Sequence, residues 1–277
     1  MKALPNYSTL GYNSYFFTMK TTINPKYELA NRLAKYLISF DDNKEVNARM
    51  REELGKKFHK TEYDYTNFLK YCAKTGNVQE QYLLGLSYAR GFGCIKNYCR
   101  AMKWWTKAAE QGNKSSQYLI GSSYYFDYEV CRNYKKAACW LEKAAIQDDD
   151  WAQLLLGDCY YLGRGVAKNY KTAAYYYAKA AKIGNLDAQY MLAVCYNNGT
   201  GPRQSFRMAY RWFAKAASKN YAAAHCRLGY YYMTGLYVKK SIKKALKWLT
   251  QASKQSYVDA WFYINDIRYK EKQERKD

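Results

Sequence analysis

Ser241 and Lys244 are the residues of this chain that most resemble a catalytic pair. A serine followed three residues later by a lysine has the spacing of the nucleophile and base of penicillin-recognising enzymes. Histidine is the other usual catalytic side chain, but the sequence has only His59 and His225, which are far apart. A sequence repeat accounts for Ser241, Lys244 and His225 without any chemistry, so we predict no catalytic residue and no enzyme activity.

Cysteines are the next candidates, because they bind zinc and form disulfides, and the sequence contains eight of them. Cys94-x4-Cys99 and Cys131-x7-Cys139 are poor zinc spacings, and no histidine lies beside them to complete a site. Eight cysteines in 277 residues do not make a disulfide scaffold by count alone. We predict free thiols, which favours a reducing compartment, and we predict no metal site, no cofactor and no small-molecule substrate.

A 36-residue repeat organises most of the chain, and we call each set of equivalent positions a column. One column of small residues contains Gly85, Gly121, Gly157, Ala193 and Gly229. A column of alanines contains Ala101, Ala137, Ala173, Ala209 and Ala245. Self-similarity at this period is typical of stacked supersecondary units, none of which buries its apolar face alone.

Each repeat has the apolar spacing of two amphipathic helices joined by a loop. We expect an N-cap column at the start of the second helix, formed by Asn97, Asn133, Asn169, Ser205 and Ser241. A glycine inside a helix costs about 1 kcal/mol relative to alanine, so we interpret the Gly85 column as a place where the second helix packs closely. His225 falls in the column of Gln81, Gln117, Gln153 and Gln189, which we expect to form a polar helix surface.

These columns resemble the Sel1-like repeats, a branch of the tetratricopeptide-like α-solenoids. The family pattern is alanine, three residues, Leu-Gly, two residues, Tyr, then Gly-x-Gly-Val, a cap residue, Lys-Ala, Trp-aromatic and Lys-Ala-Ala. Residues 152–184, AQLLLGDCYYLGRGVAKNYKTAAYYYAKAAKIG, match it nearly whole, and the resemblance runs from about residue 78 to 265. In the second repeat Asp127 and Glu129 replace both loop glycines, and we expect a distorted loop there.

The resemblance implies an all-α fold, a right-handed superhelical solenoid of about five 36-residue helix-loop-helix repeats with degenerate N- and C-terminal caps. We expect residues 1–77 to form an N-terminal helical cap with one degenerate repeat, helical over 27–40 and 61–75. Residues 78–277 then form the repeat array with a C-terminal capping helix and a basic tail. The sequence lacks a long apolar run, so we predict no signal peptide and no transmembrane segment.

The resemblance also implies a non-enzymatic scaffold or adaptor that binds a protein partner. In tetratricopeptide-like superhelices the first helices line a concave groove. By register, the groove residues of this chain are Tyr82, Arg90, Tyr118, Tyr125, Trp151, Asp158, Tyr161, Tyr190, Asn197 and Tyr230. A tyrosine-rich groove offers apolar area and hydroxyl groups to a peptide or helix, although the same tyrosines could instead pack between neighbouring first helices.

The net charge of +22 suggests a second surface, a basic ribbon along the outer, convex face of the second helices. The ribbon consists of Lys96, Arg100, Lys103, Lys107, Arg132, Lys136, Lys143, Lys168, Lys179, Arg211, Lys215, Lys240, Lys244 and Lys247. It could be an ordinary solvated face, or it could attract an anionic partner such as nucleic acid or an acidic membrane surface. The sequence contains no recognisable nucleic-acid module, and we favour the groove over the ribbon as the binding surface.

Two further implications come from the resemblance alone. One branch of the family is cysteine-rich, with paired cysteines in every repeat and penicillin binding; because that pairing is absent here, a beta-lactam-binding enzyme is a remote alternative. Members of the family also act in host-associated bacteria. We therefore expect a cytoplasmic protein, or one translocated by such a bacterium without a cleavable signal peptide.

Overall fold

The computed structural model describes residues 62–91 and 94–274. Twelve α-helices and no strand occur in these ranges, which confirms an all-α solenoid of helix pairs. In chain order the helices are α1 Glu62–Lys74, α2 Val78–Arg90, α3 Tyr98–Glu110, α4 Lys114–Phe126, α5 Tyr134–Ile146, α6 Asp150–Leu162, α7 Tyr170–Ile183, α8 Leu186–Asn198, α9 Phe206–Ala217, α10 Ala222–Thr234, α11 Ile242–Ser253 and α12 Val258–Glu274.

The five repeats are the pairs α2/α3, α4/α5, α6/α7, α8/α9 and α10/α11. Each helix contacts the one before it and the one after it, and first helices also touch each other, as α4 touches α6 and α10 touches α12. α1 occupies the place of a preceding second helix, where the sequence predicts one over 61–75. The helix predicted over 27–40 lies outside the described residues.

The mid-helix glycine column is a site of close packing, as predicted. A Cβ atom at Gly85 would overlap Cδ1 of Trp105, and one at Gly157 would lie 2.7 Å from Cε1 of Tyr177. Trp105 and Tyr177 belong to the same column of the second helix, and both are buried. The missing side chain therefore lets a large residue of the second helix reach the backbone of the first.

The predicted N-caps all begin second helices. Asn97 Oδ1 accepts a hydrogen bond from the Arg100 backbone N–H at 2.9 Å, and Asn133, Asn169, Ser205 and Ser241 make the equivalent bond. Each cap satisfies one of the amides that has no partner within the helix. The polar columns thus set where each second helix starts.

The loop of the second repeat is not distorted, so that expectation is wrong. Asp127 ends α4 with φ 62° and ψ 36°, close to the 73° and 33° of Gly163 in the third repeat. Glu129 has a φ of 53°, in the same left-handed region as the 75° of Gly165. The left-handed backbone costs a non-glycine residue roughly 1–2 kcal/mol, and the loop adopts it all the same.

Local bonds offset that cost in the second repeat. The Asp127 carboxylate accepts from the backbone N–H of Arg132 at 2.7 Å, and the Glu129 carboxylate accepts from Lys96 Nζ at 2.7 Å. The backbone N–H of Asn133 donates to Tyr124 O at 3.0 Å, the bond that each of the other four loops also makes. Side-chain contacts that sequence spacing does not reveal keep the loop in the family shape.

The glutamine column is buried, so the expectation of a polar surface is also wrong. Gln153 is 0% exposed and His225 is 5% exposed. The side-chain nitrogen of each member donates a hydrogen bond to the backbone carbonyl eight residues earlier, near the end of the preceding second helix. The five pairs, at 2.9–3.2 Å, are Gln81 with Ala73, Gln117 with Ala109, Gln153 with Ala145, Gln189 with Ala181 and His225 with Ala217. These carbonyls lie at the end of their helix, where intrahelical amides run out. Four of them, those of Ala73, Ala109, Ala145 and Ala217, also accept a backbone N–H from the turn that follows, so the buried side chain adds a second hydrogen bond across the repeat boundary.

Candidate partner-binding surfaces

Ser241 and Lys244 do not form a catalytic pair. Ser241 Oγ accepts a hydrogen bond from the Lys244 backbone N–H at 3.4 Å, as the N-cap of α11. The Lys244 ammonium lies 5.5 Å from the centre of the Tyr232 ring and is exposed. A nucleophile and its base must share a hydrogen bond, and here the hydroxyl caps a helix while the ammonium covers a ring.

The seven described cysteines are all free: three are buried, three are exposed and Cys94 is partly exposed. Cys159, Cys195 and Cys226 are buried, and burial raises their pKa values to about 12, 11 and 12, which keeps these thiols protonated. The exposed group is Cys99, Cys131 and Cys139. Within residues 62–91 and 94–274, no group of three or more His, Cys, Asp or Glu residues is arranged to hold a metal ion.

The inner face is the set of predicted groove columns on the first helices. Seven of the ten predicted residues are exposed or partly exposed, and every first helix from α2 to α10 contributes at least one. They are Tyr82, Arg90, Tyr118, Trp151, Tyr161, Asn197 and Tyr230. The inner face therefore presents aromatic rings with hydroxyl, amide and guanidinium groups between them.

The other three predicted residues are buried, so placing them on the groove surface is wrong. Tyr125, Asp158 and Tyr190 are 4%, 3% and 7% exposed. A first helix packs against its own second helix and also against neighbouring repeats on both sides. The stripe of each first helix that remains open is therefore narrower than helical spacing alone predicts.

The three buried residues form hydrogen bonds that support the inner face from below. Arg164 Nη1 donates to Tyr125 Oη at 2.9 Å, and Arg227 Nε donates to Tyr190 Oη at 3.3 Å. The Arg164 guanidinium also lies 5.2 Å from the centre of the Tyr134 ring. Each bond joins residues of successive repeats, so these side chains fix the position of one repeat against the next.

Hydroxyl donors complete this buried layer. Tyr177 Oη donates to Asp158 Oδ1 at 2.6 Å within the third repeat. Tyr231 Oη donates to Asn197 Oδ1 at 2.8 Å and joins the fifth repeat to the fourth. Burial raises the pKa of Tyr231 well above its usual range, so the hydroxyl stays protonated and remains a donor.

Sequence reasoning missed Arg164, Arg227 and the pair formed by Tyr221 and Asp187. Tyr221 occupies an N-cap position of a first helix but makes no cap bond, and its hydroxyl donates to Asp187 instead. The signal was available for Tyr221 and Arg164. Tyr221 interrupts a column that holds Asn77, Asn113, Asp149 and Asn185, and Arg164 is a charged residue between two loop glycines.

The predicted ribbon lies on the surface. Thirteen of its fourteen residues are exposed, and Lys179 is partly exposed. Several of the cations cover aromatic rings of their own repeat: Lys107 lies 4.6 Å from the Trp104 ring centre, Lys143 lies 4.4 Å from Trp140 and Lys215 lies 4.8 Å from Trp212. The ribbon thus shields the half-buried aromatic column beneath it and still presents charge to solvent.

Carboxylates neutralise one part of the outer surface. Lys96 of the first repeat pairs with Glu129 at 2.7 Å and Arg132 pairs with Asp127 at 3.7 Å, so both carboxylates belong to the second repeat. Lys179 lies 3.6 Å from Asp148. In the described residues no ion pair involves the second helices of the fourth and fifth repeats.

The family model for the Sel1 repeat matches residues 81–113, 114–149, 152–185, 186–221 and 222–257. These five segments coincide with the five helix pairs. None of the curated proteins searched matches the chain.

Two solved structures are similar over most of the described residues. A protective antigen present in uropathogenic Escherichia coli strains, which displays an SLR fold, is 32% identical with a TM-score of 0.70. The match covers 77% of this chain but only 46% of that protein, so the chain spans less than half of its length. A Sel1 repeat protein from Oxalobacter formigenes is 30% identical with a TM-score of 0.61, and the match covers 73% of this chain and 82% of the other.

Among the described helices, none combines the length and the apolar character that crossing a bilayer requires.

Proposed function

Because the chain belongs to the Sel1 repeat family, we propose that it is a non-enzymatic scaffold that binds a protein partner along its inner face. Proteins of this family generally mediate protein–protein interactions and are typically not enzymes. The partner segment is an extended peptide or a helix, with apolar side chains that contact the aromatic rings and polar groups that bond to the hydroxyls.

The observation that carries the proposal is the recurrence of partly exposed aromatic and polar side chains on successive first helices. Tyr82 and Tyr118 occupy one column, and Trp151, Tyr161 and Tyr230 continue the aromatic surface over the later repeats. Tyrosine and tryptophan contribute large contact areas and lose few rotamers on binding. A partner can therefore gain apolar contact and hydrogen bonds from the same side chains.

The buried layer beneath supports the proposal through its rigidity. Arg164, Arg227 and Tyr231 connect successive repeats through side-chain bonds, so the exposed rings sit on a fixed support. A preorganised surface loses less conformational entropy on binding than a mobile one. The inner face is on this ground a better protein-binding surface than the long lysine side chains of the outer face.

The compartment that fits this proposal is a reducing one. The described cysteines are unpaired, although Cys99, Cys131 and Cys139 are exposed. Free exposed thiols persist where glutathione and thioredoxin keep them reduced. We place the protein in the cytoplasm, either of its own cell or of a host cell reached by translocation.

Affinity capture with the full chain tests the proposal. The test variant replaces Trp151, Tyr161 and Tyr230 by alanine, and the matched control is Tyr71→Ala, at a tyrosine that is 66% exposed in the column of Lys107. We expect a protein partner that is retained by the wild type and the control at low and at high salt, and lost from the triple variant. Circular dichroism checks that the triple variant is folded.

The opposite result would overturn the proposal. A partner that stays on the triple variant but leaves Lys103→Glu/Lys247→Glu would assign protein binding to the outer face. Loss of the partner at high salt from the wild type would point the same way, because exposed charges are screened by salt.

A further inference from the structure

The outer surface of the solenoid is divided into two parts by its acidic residues. In the loops and second helices of the first two repeats, residues 91–112 and 127–148, eight Lys or Arg residues accompany five Asp or Glu residues. In the last three repeats, residues 163–184, 199–220 and 235–256, sixteen Lys or Arg residues occur with no Asp or Glu. The positive charge of the outer surface is therefore concentrated at the C-terminal end of the array.

In the second helices of the last two repeats, this positive charge has no carboxylate partner in the described residues. Arg207 and Arg211 on α9 and Lys243 and Lys247 on α11 are exposed. No ion pair to any of them occurs in the described residues, whereas Lys96 and Arg132 in the early repeats both have carboxylate partners. Like charges on neighbouring helices repel, and this repulsion is relieved when an anionic polymer lies across them.

The helix ends add to the positive potential. The first turns of all five second helices contain no acidic residue, and Arg207 and Lys243 stand in the first turns of α9 and α11. The macrodipole places partial positive charge at a helix N-terminus and favours acidic residues there. Basic residues at these ends are unfavourable for the isolated helix and increase its attraction for an anion.

Exposed tyrosines lie among these cations. Tyr170, Tyr175 and Tyr237 are 38%, 55% and 51% exposed and belong to the loops and second helices of the third and fifth repeats. Proteins that bind single-stranded nucleic acid combine cations that track the phosphates with aromatic rings on which bases stack. A duplex keeps its bases paired inside and gains little from such rings.

We propose that the outer face of the third to fifth repeats binds single-stranded nucleic acid. Its lysines and arginines contact the phosphates, and Tyr175 and Tyr237 stack against bases. A membrane surface fits less well, because interfacial binding uses Trp, Phe or Leu beside the cations. The exposed Trp261 and Phe262 lie on α12, which occupies a first-helix position, and not among these lysines.

The experiment measures fluorescence anisotropy of labelled oligo(dT) with the full chain over a range of salt concentrations. The test variant is Lys243→Glu/Lys247→Glu. The matched control is Lys103→Glu/Lys135→Glu, which changes the same two columns and the same total charge in the first two repeats. All four side chains are exposed, and an acid at position 243 suits the first turn of α11, so both variants should fold.

We expect wild-type binding near physiological salt, with log affinity falling linearly against log salt. The test variant should weaken binding by about tenfold or more and reduce the salt slope by roughly 1.4, since each phosphate contact contributes about 0.7 on a single strand. The control should stay within about twofold of the wild type. Tyr175→Ala should weaken binding by about fivefold or more at an unchanged salt slope, because stacking is worth roughly 1–3 kcal/mol per base.

Three results would overturn the proposal. Equal losses from the test and control variants would mean that net charge alone attracts the oligonucleotide. Equal affinity for a duplex of the same length, with no effect of Tyr175→Ala, would remove the single-strand assignment. Binding to phosphatidylserine vesicles without binding to oligo(dT) would make the face a membrane surface. None of these outcomes depends on the inner face, because Trp151, Tyr161 and Tyr230 are unchanged throughout.

Discussion

The buried layer beneath the inner face and the outer face of the same repeats are built in opposite ways. Inner side chains such as Tyr231 and Arg164 form hydrogen bonds to residues 34 and 39 positions away, and so connect one repeat to another. Outer side chains such as Lys103 and Lys247 are exposed and have no ion pair in the described part of the chain. Folding stability therefore resides in the inner columns, and surface charge can vary on the outer columns at little cost to the fold.

Of the changes that test this contrast, loss of a buried ring should lower the free energy of unfolding the most. Tyr177→Ala removes a side chain that is 0% exposed and takes away the donor to Asp158. We expect the free energy of unfolding to fall by about 3–5 kcal/mol, the usual range for deleting a buried aromatic ring. Urea titration followed by circular dichroism measures the change.

The control for Tyr177 lies on the same helix. Tyr175 is 55% exposed, so Tyr175→Ala should change the free energy of unfolding by no more than about 0.5 kcal/mol. Similar losses from both variants would contradict the division between inner and outer columns.

Filling the glycine column should have a smaller effect. Gly157→Ala gains helix propensity worth about 1 kcal/mol, but its Cβ would lie 2.7 Å from Tyr177 Cε1. Overpacking costs about 1–3 kcal/mol, so we expect a net loss of stability in thermal and urea unfolding. Ala193 already has a Cβ in this column, and Ala193→Gly is the control that should lose only the propensity and contact terms. A Gly157→Ala protein more stable than the wild type would show that the second helix moves away easily.

The partly buried carboxyl of Asp187 should make the free energy of unfolding depend on pH. Burial raises its pKa, although the Tyr221 hydroxyl that donates to it acts in the opposite direction. The native state then binds the proton more tightly than the unfolded state, so ionisation of Asp187 lowers stability as the pH rises through the native pKa. Asp187→Asn keeps an oxygen acceptor for Tyr221 and carries no charge.

We therefore expect Asp187→Asn to melt at a higher temperature than the wild type at neutral pH. The difference should shrink as the pH falls, because Asp187 becomes neutral in the wild type as well. Asp266→Asn, at a surface pair with Lys270, should shift the melting temperature little at either pH. A difference between Asp187→Asn and the wild type that grows in acid would contradict this sign.

The smallest change in the free energy of unfolding should come from a substitution on the outer face. Lys103 is exposed and has no ion pair in the described residues, so Lys103→Glu should change the free energy of unfolding by less than about 0.5 kcal/mol. The same urea titration checks it. A loss as large as that of Gly157→Ala would mean that the outer columns also carry folding stability.

The sequence predicts the parts of the structure that repeat within one unit. The Gly85 column, the N-cap column and the helix pairs all follow from contacts between residues of the same 36-residue segment. The buried glutamine column and the burial of Tyr125, Asp158 and Tyr190 could not be predicted in this way, because they depend on how one unit sits against the next. Helical spacing within one repeat does not determine the angle at which that repeat packs against the next.

The second repeat teaches a related lesson about individual residues. Asp127 and Glu129 violate the glycine rule of the loop, yet the backbone keeps the same left-handed conformation. Bonds from Arg132 and Lys96 stabilise it, and each comes from a position that the glycine pattern does not include. A motif rule therefore gives the residue with the lowest conformational free-energy cost at a position, and the fold also accepts others.

The buried glutamine column also bears on how such a chain can lengthen. The donor and the acceptor, such as Gln117 and Ala109, are eight residues apart and lie on opposite sides of a repeat boundary. Tandem duplication of any 36-residue segment recreates this pair at the new junction, whatever the starting residue of the copied segment. A gene for such a protein can gain or lose whole units and keep this bond at every junction, and His225 shows that a different side chain can make the same bond.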